Sequence, residues 1–212
     1  MNKPALLAGK TVLAAALALS LTGCVEMVLG TAVMGVVSAS DRRTLGAQTD
    51  DKAIALKAEM RMPSVTKDEG HVNVNSYNRK VLLTGEVKDE AMKTAVENHV
   101  RAVDGVQNVI NELEVAPLST YTSRSADALV TTKVKASLVD MKTISANSFK
   151  VVTERGTVYL MGRVTEREGQ VAADVARGVS GVKKVVKLFE YITEDQLKAM
   201  QPARSPDLQA QS

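Results

Sequence analysis

The sequence predicts an α/β fold of the α+β sandwich type, made of two tandem αββαβ units. In each unit two helices are expected to cover one face of a three-stranded mixed sheet. Two observations predict this fold. Blocks of residues recur at a spacing of about 76 positions, and each copy carries apolar runs typical of strands beside apolar residues at helical spacing. With 212 residues, 45% of them hydrophobic, the chain is long enough for two small cores.

The repeat consists of two pairs of matching blocks in the same order. Val81–Val87 matches Val158–Val164, and Val103–Val109 matches Val179–Val185, each with four identities in seven positions. Two copies of this length are too few and too long for a solenoid. The body of the chain is therefore predicted to be a duplicated domain.

Each copy is expected to run helix, strand, strand, helix, strand. The first helix of each copy should begin at an Asp that serves as its N-cap. Glycine within a strand usually marks a bulge or a close approach of two backbones, which is the prediction for Gly85 and Gly162. The predicted elements, first copy before second, are helices Asp51–Met62 and Asp127–Met141, strands Val72–Ser76 and Phe149–Thr153, strands Val81–Val87 and Val158–Val164, helices 89–103 and 166–179, and strands Val106–Val115 and Val182–Ile192.

The N-terminal segment has the layout of a secretory signal. Lys3 and Lys10 precede a short apolar run, Thr11–Leu21, and the sequence Leu-Thr-Gly-Cys that ends at Cys24 resembles a bacterial lipobox. Residues 1–23 are predicted to be a lipoprotein signal peptide, and Cys24 is predicted to carry acyl chains such as palmitate. Val25, the next residue, resembles an outer-membrane sorting signal, so the expected location is the outer membrane, lipid-anchored and facing the periplasm.

The repeated motif resembles the BON domain family. Its marks are the strand with a central Gly, the helix that follows it, and the closing pattern V-x-G-V-x-x-V found at Val103–Val109 and Val179–Val185. The resemblance implies phospholipid binding and envelope integrity, with no known catalysis. The predicted organisation is a lipidated tether at 24–49, a BON domain at 50–116, a linker at 117–126, a second BON domain at 127–193 and a disordered tail at 194–212.

Charge is distributed unequally between the copies. Residues 50–116 hold 9 basic and 12 acidic side chains, a net of −3, whereas residues 124–193 hold 12 and 7, a net of +5. The second copy is therefore the one suited to an anionic membrane surface. Within its first helix, the predicted core stripe is formed by Val130, Val134, Leu138 and Met141.

The opposite side of that helix combines apolar and basic residues, which is typical of an interfacial helix. The predicted phospholipid-binding residues are Leu129, Lys133, Lys135, Ala136, Val139 and Lys142. The family resemblance implies the same helix, although relatives carry Trp at the place of Leu129. Scattered apolar residues with three lysines also describe an ordinary solvated face. A second basic cluster, Lys183, Lys184 and Lys187, is expected to protect the edge of the sheet.

Other functional classes are disfavoured by composition. Aromatic residues are 3% of the chain, Trp is absent and the net charge is +3, so no nucleic-acid binding is expected. With one cysteine and two histidines, no metal site or cofactor is predicted.

No catalytic residue is predicted, because no nucleophile, base or phosphate-loop motif is present. His99 falls on the apolar face of its helix and is expected to be a core or half-buried residue, and His71 has no motif around it. Three carboxylate pairs are interpreted as helix caps: Asp50 with Asp51, Asp89 with Glu90, and Glu166 with Glu168. The alternative function is a protein-interaction module in which the exposed sheet edge of the first copy docks an envelope-assembly or cell-wall partner. The oligomeric state is not predicted.

Overall fold

A computed structural model describes residues 41–200 of the chain, so the signal segment, Cys24 and the end of the predicted tail lie outside the described residues. The described elements are α1 (Leu45–Glu59), α2 (Met62–Thr66), β1 (His71–Tyr77), β2 (Lys80–Val87), α3 (Glu90–Arg101), β3 (Asn108–Asn111), β4 (Glu114–Val115), α4 (Tyr121–Asp140), a 3₁₀ turn (Ala146–Ser148), β5 (Phe149–Glu154), β6 (Thr157–Val164), α5 (Glu166–Arg177), β7 (Lys184–Tyr191) and α6 (Glu194–Met200).

Each copy forms a mixed sheet around a central strand. In the first, β2 pairs antiparallel with β1 and parallel with both β3 and β4; in the second, β6 pairs antiparallel with β5 and parallel with β7. The hairpin turns are two residues long. Asn78 and Arg79 have φ angles of 50° and 62°, and Arg155 and Gly156 have φ angles of 50° and 80°. Left-handed pairs of this kind match the twist of the strands that they join.

Helices cover one face of each sheet, as predicted. In the first copy α1 and α3 bury Ile54, Ala58, Val96 and Val100 against β1 and β2. The second copy repeats this core with Val134, Leu138, Ala172 and Ala176 against β5 and β6.

The glycines of the central strands lie where the two backbones of the hairpin approach closely. A Cβ at Gly85 would lie 2.0 Å from the carbonyl oxygen of His71, and a Cβ at Gly162 would lie 2.4 Å from that of Ser148. Real Cβ atoms do not approach carbonyl oxygens this closely, so the prediction made from glycine in a strand is confirmed.

The predicted N-cap role of Asp51 and Asp127 is wrong. The helices begin earlier, at Leu45 and Tyr121, and their N-caps are Thr44 and Thr120. Both aspartates lie inside the helices and cap the hairpin turns instead. Asp127 accepts hydrogen bonds from the backbone N–H groups of Arg155 and Gly156 at 2.9 and 2.8 Å, and Asp51 binds the corresponding turn of the first copy. A carboxylate satisfies both N–H groups of a left-handed turn, which explains why the repeat retains aspartate there.

Other expectations are corrected at the ends of elements. The last strand of the first copy is interrupted after Asn111, whose side chain accepts a hydrogen bond from the backbone of Leu113. The predicted disordered tail begins with helix α6, which buries Leu197. His99 is exposed and not a core residue, with a ring nitrogen 2.8 Å from the carbonyl oxygen of Ala95.

The remaining helix caps are confirmed. Asp89 caps α3 by accepting the N–H of Met92, and Glu168 completes a capping box with Thr165 at the start of α5.

A third apolar cluster joins the two copies, whose sheets pack face to face. Tyr77 and Leu82 of the first sheet are buried with Tyr159 and Met161 of the second. Polar contacts surround this cluster in a reciprocal pattern: Asn78 donates to Glu190 at 2.6 Å, and the equivalent Arg155 pairs with Glu114, the equivalent of Glu190, at 3.0 Å. The duplicated domains therefore associate like the subunits of an isologous dimer.

The segment before α1 binds both copies. Arg42 makes two hydrogen bonds of 2.7 Å to the carboxylate of Glu168 in the second copy. Arg43 binds Asp51 of the first copy at 2.7 Å and lies 4.2 Å above the ring of Tyr77. Through these contacts Arg42 and Arg43, which lie in the predicted tether, bind both domains.

Candidate lipid-binding surface

Helix α4 has a buried face and an exposed face. Val130, Val134 and Leu138 are buried against the sheet and Met141 is partly buried, so the predicted core stripe is confirmed. This packing fixes the rotation of the helix about its axis. The opposite side must therefore face outward.

The six predicted binding residues are all exposed on or just after that helix. Leu129 and Val139 are 55% and 66% exposed, which is high for apolar side chains. At about 100° per residue, Leu129, Lys133 and Ala136 fall within about 60° of one another around the helix, and Val139 and Lys135 form the adjacent row. The remaining residue, Lys142, follows the last turn.

The structure adds Tyr121, which the sequence analysis did not select. Its ring is 83% exposed, and the guanidinium of Arg124 lies 4.6 Å from the ring centroid. Tyr121 is 18 residues before Val139, which is five full helical turns. Both side chains therefore project from the same side of α4. The residue was missed because Asp127 was taken as the helix start, whereas the N-cap is Thr120, seven residues earlier.

The exposed face of α4 carries Lys133, Lys135 and one acid, Asp140, and Lys142 follows the helix. Among residues 41–200, Lys133, Lys135 and Lys142 form no ion pair with a carboxylate. Unpaired ammonium groups beside exposed apolar side chains are available for anionic groups of a surface. Lys183, Lys184 and Lys187 differ, because they lie at the edge strand β7, where Lys187 donates to Gln170. The prediction that this second cluster lies on a sheet edge is confirmed.

An open groove of about 320 Å³ runs beside the exposed face, between α4 and β5. Its apolar wall includes Leu138, Val139 and Phe149, and Lys135 lies at its rim. A groove with this lining suits an alkyl chain whose charged end stays near a lysine.

The equivalent helix of the first copy also has an exposed face. On α1 the exposed apolar residues are Leu45, Leu56 and Met60, at 66%, 58% and 73%. Its exposed charged residues are Lys52, Lys57 and Glu59, and within residues 41–200 neither lysine forms an ion pair. Exposed apolar residues and unpaired lysines are thus common to both helices, and the clearer difference is the net charge of the copies, −3 for residues 50–116 and +5 for residues 124–193.

None of the helices within residues 41–200 is both long enough and apolar enough to cross a bilayer. The fold and its duplication define a tandem α/β module. Residues 50–117 and 126–193 each match the BON domain model, and the chain belongs to the BON domain family.

Three relatives are similar over most of the chain. The outer membrane lipoprotein DolP of Haemophilus influenzae is 38% identical over 194 residues, covering 91% of this chain and 97% of the relative. A 21 kDa hemolysin of Actinobacillus pleuropneumoniae is 32% identical, covering 72% of this chain and 79% of its own. The osmotically-inducible protein Y of Escherichia coli K12 is 27% identical, covering 69% of this chain and 75% of its own.

The similarity to DolP confirms the predicted location: the chain is an outer membrane lipoprotein of the BON family. None of the three is described as an enzyme.

Proposed function

We propose that the protein binds anionic phospholipid through the exposed face of α4, and that this non-catalytic contact helps to maintain the cell envelope. The observation that carries the proposal is the combination of unpaired lysines with exposed apolar side chains on a helix whose other face is fixed in the core. Apolar side chains would enter the acyl boundary while the ammonium groups bind lipid phosphates.

Electrostatics favours the second copy, whose net charge is +5, over the first, whose net charge is −3. Each lysine near an anionic leaflet contributes about 1 kcal/mol, so Lys133, Lys135 and Lys142 together contribute about 3 kcal/mol, or about 100-fold in partitioning. Because a lipid anchor at Cys24 would already hold the protein at a bilayer, even weak contact gains from a high effective concentration.

Tyr121 strengthens the proposed contact. Tyrosine prefers the membrane–water interface because its ring is apolar and its hydroxyl remains hydrated. Its position in the row of Val139 extends the apolar part of the face to the first turn of α4. It therefore supplies an aromatic anchor on a helix where Leu129 stands at the place of the relatives' Trp.

The proposal is tested by sedimentation of residues 41–212 with vesicles of phosphatidylglycerol or of phosphatidylcholine. This fragment contains both cores and omits the predicted acyl chains. Binding is expected to phosphatidylglycerol alone and should weaken with added salt, which screens charges beyond about 10 Å at 0.1 M. Far-UV circular dichroism checks that every variant is folded.

Leu129→Glu with Lys133→Glu should lower the binding by at least about 100-fold. The lysine reversal alone costs about 2 kcal/mol, since one attraction is lost and one repulsion is added. Leu56→Glu with Lys57→Glu makes the same chemical change on α1 and should leave most of the binding intact. Equal losses in both double variants would show that net charge matters and that α4 is not the site.

The alternative is docking of a protein partner through the first copy. Its supporting observation is the set of exposed apolar residues on α1, and docking at the sheet edge stays a prediction. If neither vesicle type sediments the fragment, the lipid proposal fails and the α1 surface becomes the candidate for a partner.

A further inference from the structure

Three ligand-bearing side chains meet at one end of the interface between the two sheets. His71 and Glu86 face each other across the β1–β2 pair of the first copy, and Glu154 ends β5 of the second. One nitrogen or oxygen atom of each residue lies within 4.8 Å of those of the other two. The sequence could not suggest this cluster, because its members belong to different strands and different repeats.

The carboxylate of Glu86 is incompletely satisfied. Its side chain is fully buried, and its contacts are long: 3.2 Å to the hydroxyl of Ser119, 3.4 Å to Arg155 and 3.6 Å to Nδ1 of His71. That Nδ1 is itself buried and has no hydrogen-bond partner among residues 41–200. Buried carboxylates normally accept short, charge-assisted bonds, so this one requires a stronger cation than its neighbours supply.

Charge at this end is unbalanced. The guanidinium of Arg155 pairs through its Nε with Glu114 at 3.0 Å. Its single positive charge is therefore shared, and it does not neutralise the carboxylates of both Glu86 and Glu154. Asn73 donates to Glu154 at 2.7 Å but brings no charge. Burying uncompensated carboxylates is unfavourable unless they are protonated or bind a cation.

The opposite end of the interface shows that the imbalance is specific. The positions equivalent to Glu86 and Glu154 are Arg163 and Tyr77, and there the backbone N–H of Arg163 donates to the Tyr77 hydroxyl at 3.2 Å. The guanidinium of Arg163 pairs with Glu190 at 2.9 Å. One end is therefore neutral, whereas the other gathers carboxylates around an imidazole.

We propose that His71, Glu86 and Glu154 form a binding site for a divalent transition metal, of which zinc is the best fit, and that the bound ion joins the two domains. Imidazole nitrogen and carboxylate oxygen are both zinc ligands, and three protein ligands leave a fourth position for water. Ligand atoms of a tetrahedral site with bonds of about 2.0 Å lie about 3.3 Å apart, close to the 3.6 Å between His71 and Glu86. The proposal is independent of lipid binding.

The test is thermal unfolding of the full chain in detergent, titrated with zinc chloride and reversed with EDTA. A ligand at about 100 times its Kd should raise the Tm of a chain of this size by about 5–10 °C. The rise should disappear in Glu154→Gln, which keeps the shape of the side chain and removes a ligand. Glu168→Gln, a buried glutamate paired elsewhere with Arg42, should retain it.

The two histidines provide a matched pair of controls, since the chain has no others. His99→Ala should retain the zinc effect and His71→Ala should lose it. In the unmodified chain, the ¹⁵N resonances of the His71 ring should move on zinc addition while those of His99 remain in place, a measurement that does not depend on any variant folding. An unchanged His71 ring at about 100 μM zinc, which would fill about 99% of a site with a Kd of 1 μM, overturns the proposal. A Tm rise equally large in His71→Ala overturns it as well.

Discussion

Leu82→Ala tests whether the two copies form one body. Leu82 lies on the face of β2 that is turned away from the helices, and its side chain is fully buried in the cluster between the sheets. If the copies were independent domains, this residue would be on a solvent-exposed sheet face. The two arrangements therefore predict different costs for the same substitution.

The expected cost follows from the burial. Truncating a fully buried leucine to alanine removes its transfer free energy and leaves a cavity, which together cost about 2–5 kcal/mol. For a chain of this size, a loss of about 3 kcal/mol lowers the Tm by about 6–12 °C. The same substitution at an exposed site changes stability by less than about 0.5 kcal/mol.

Urea unfolding of residues 41–212, followed by far-UV circular dichroism, measures the difference. Leu118→Ala is the control, since Leu118 is 48% exposed and the chemical change is identical. Combining Leu82→Ala with Met161→Ala should reveal a coupling of about 0.5–3 kcal/mol across the interface. A cost for Leu82→Ala no larger than that of the control would refute the packing of the sheets.

Three further changes test local features of the fold by the same unfolding assay. Gly162→Ala should cost at least about 1–3 kcal/mol because its Cβ would meet the Ser148 carbonyl at 2.4 Å, whereas Gly46→Ala on an open helical turn should be neutral or stabilising; similar costs would contradict the close approach. Asp127→Ala should cost about 3 kcal/mol by removing the acceptor of two turn N–H groups, and a cost under about 1 kcal/mol would show that the turn does not depend on it. Burial raises the pKa of Glu168, but its bonds to an arginine and a backbone N–H outweigh this and hold the pKa below its ordinary value. Its contribution is therefore complete above about pH 4.3 and is lost as the pH falls through the lower folded pKa, so Glu168→Gln should reduce the acid sensitivity of unfolding, and an unchanged pH profile would contradict this role.

The sequence predicts the architecture of each copy well because local patterns determine it. Alternating apolar residues specify the strands, and the stripe of Val130, Val134 and Leu138 specifies which face of α4 is buried. The same stripe allowed the exposure of the residues on the opposite side of α4 to be predicted. The helix starts were misplaced because an aspartate near the start of a helix resembles an N-cap. Asp127 instead accepts hydrogen bonds from a hairpin turn about 28 residues further along the chain.

The packing of one copy on the other could not be predicted, although the sequence contains a trace of it. The central strands carry apolar residues on both faces, as at Leu82 and Leu83, which is typical of a sheet buried on two sides. That pattern indicates that another part of the protein packs on the second face of the sheet, but it does not show which part. The cluster of His71, Glu86 and Glu154 depends on this packing, so no spacing in the sequence could reveal it.

Burial of the sheet faces restricts how this protein can contact a membrane. Because the two sheets cover each other, the helices form the outer layers of the paired domains, and a broad contact with a bilayer must be made by a helix. Duplication supplies two equivalent helices, α1 and α4, and both expose apolar side chains. Neither apolar exposure nor lysines without carboxylate partners can select between them, because α1 and α4 have both. The duplicated fold thus provides two candidate surfaces, and the unequal charge of the copies, −3 against +5, is the reason why the proposed lipid contact is placed on the second.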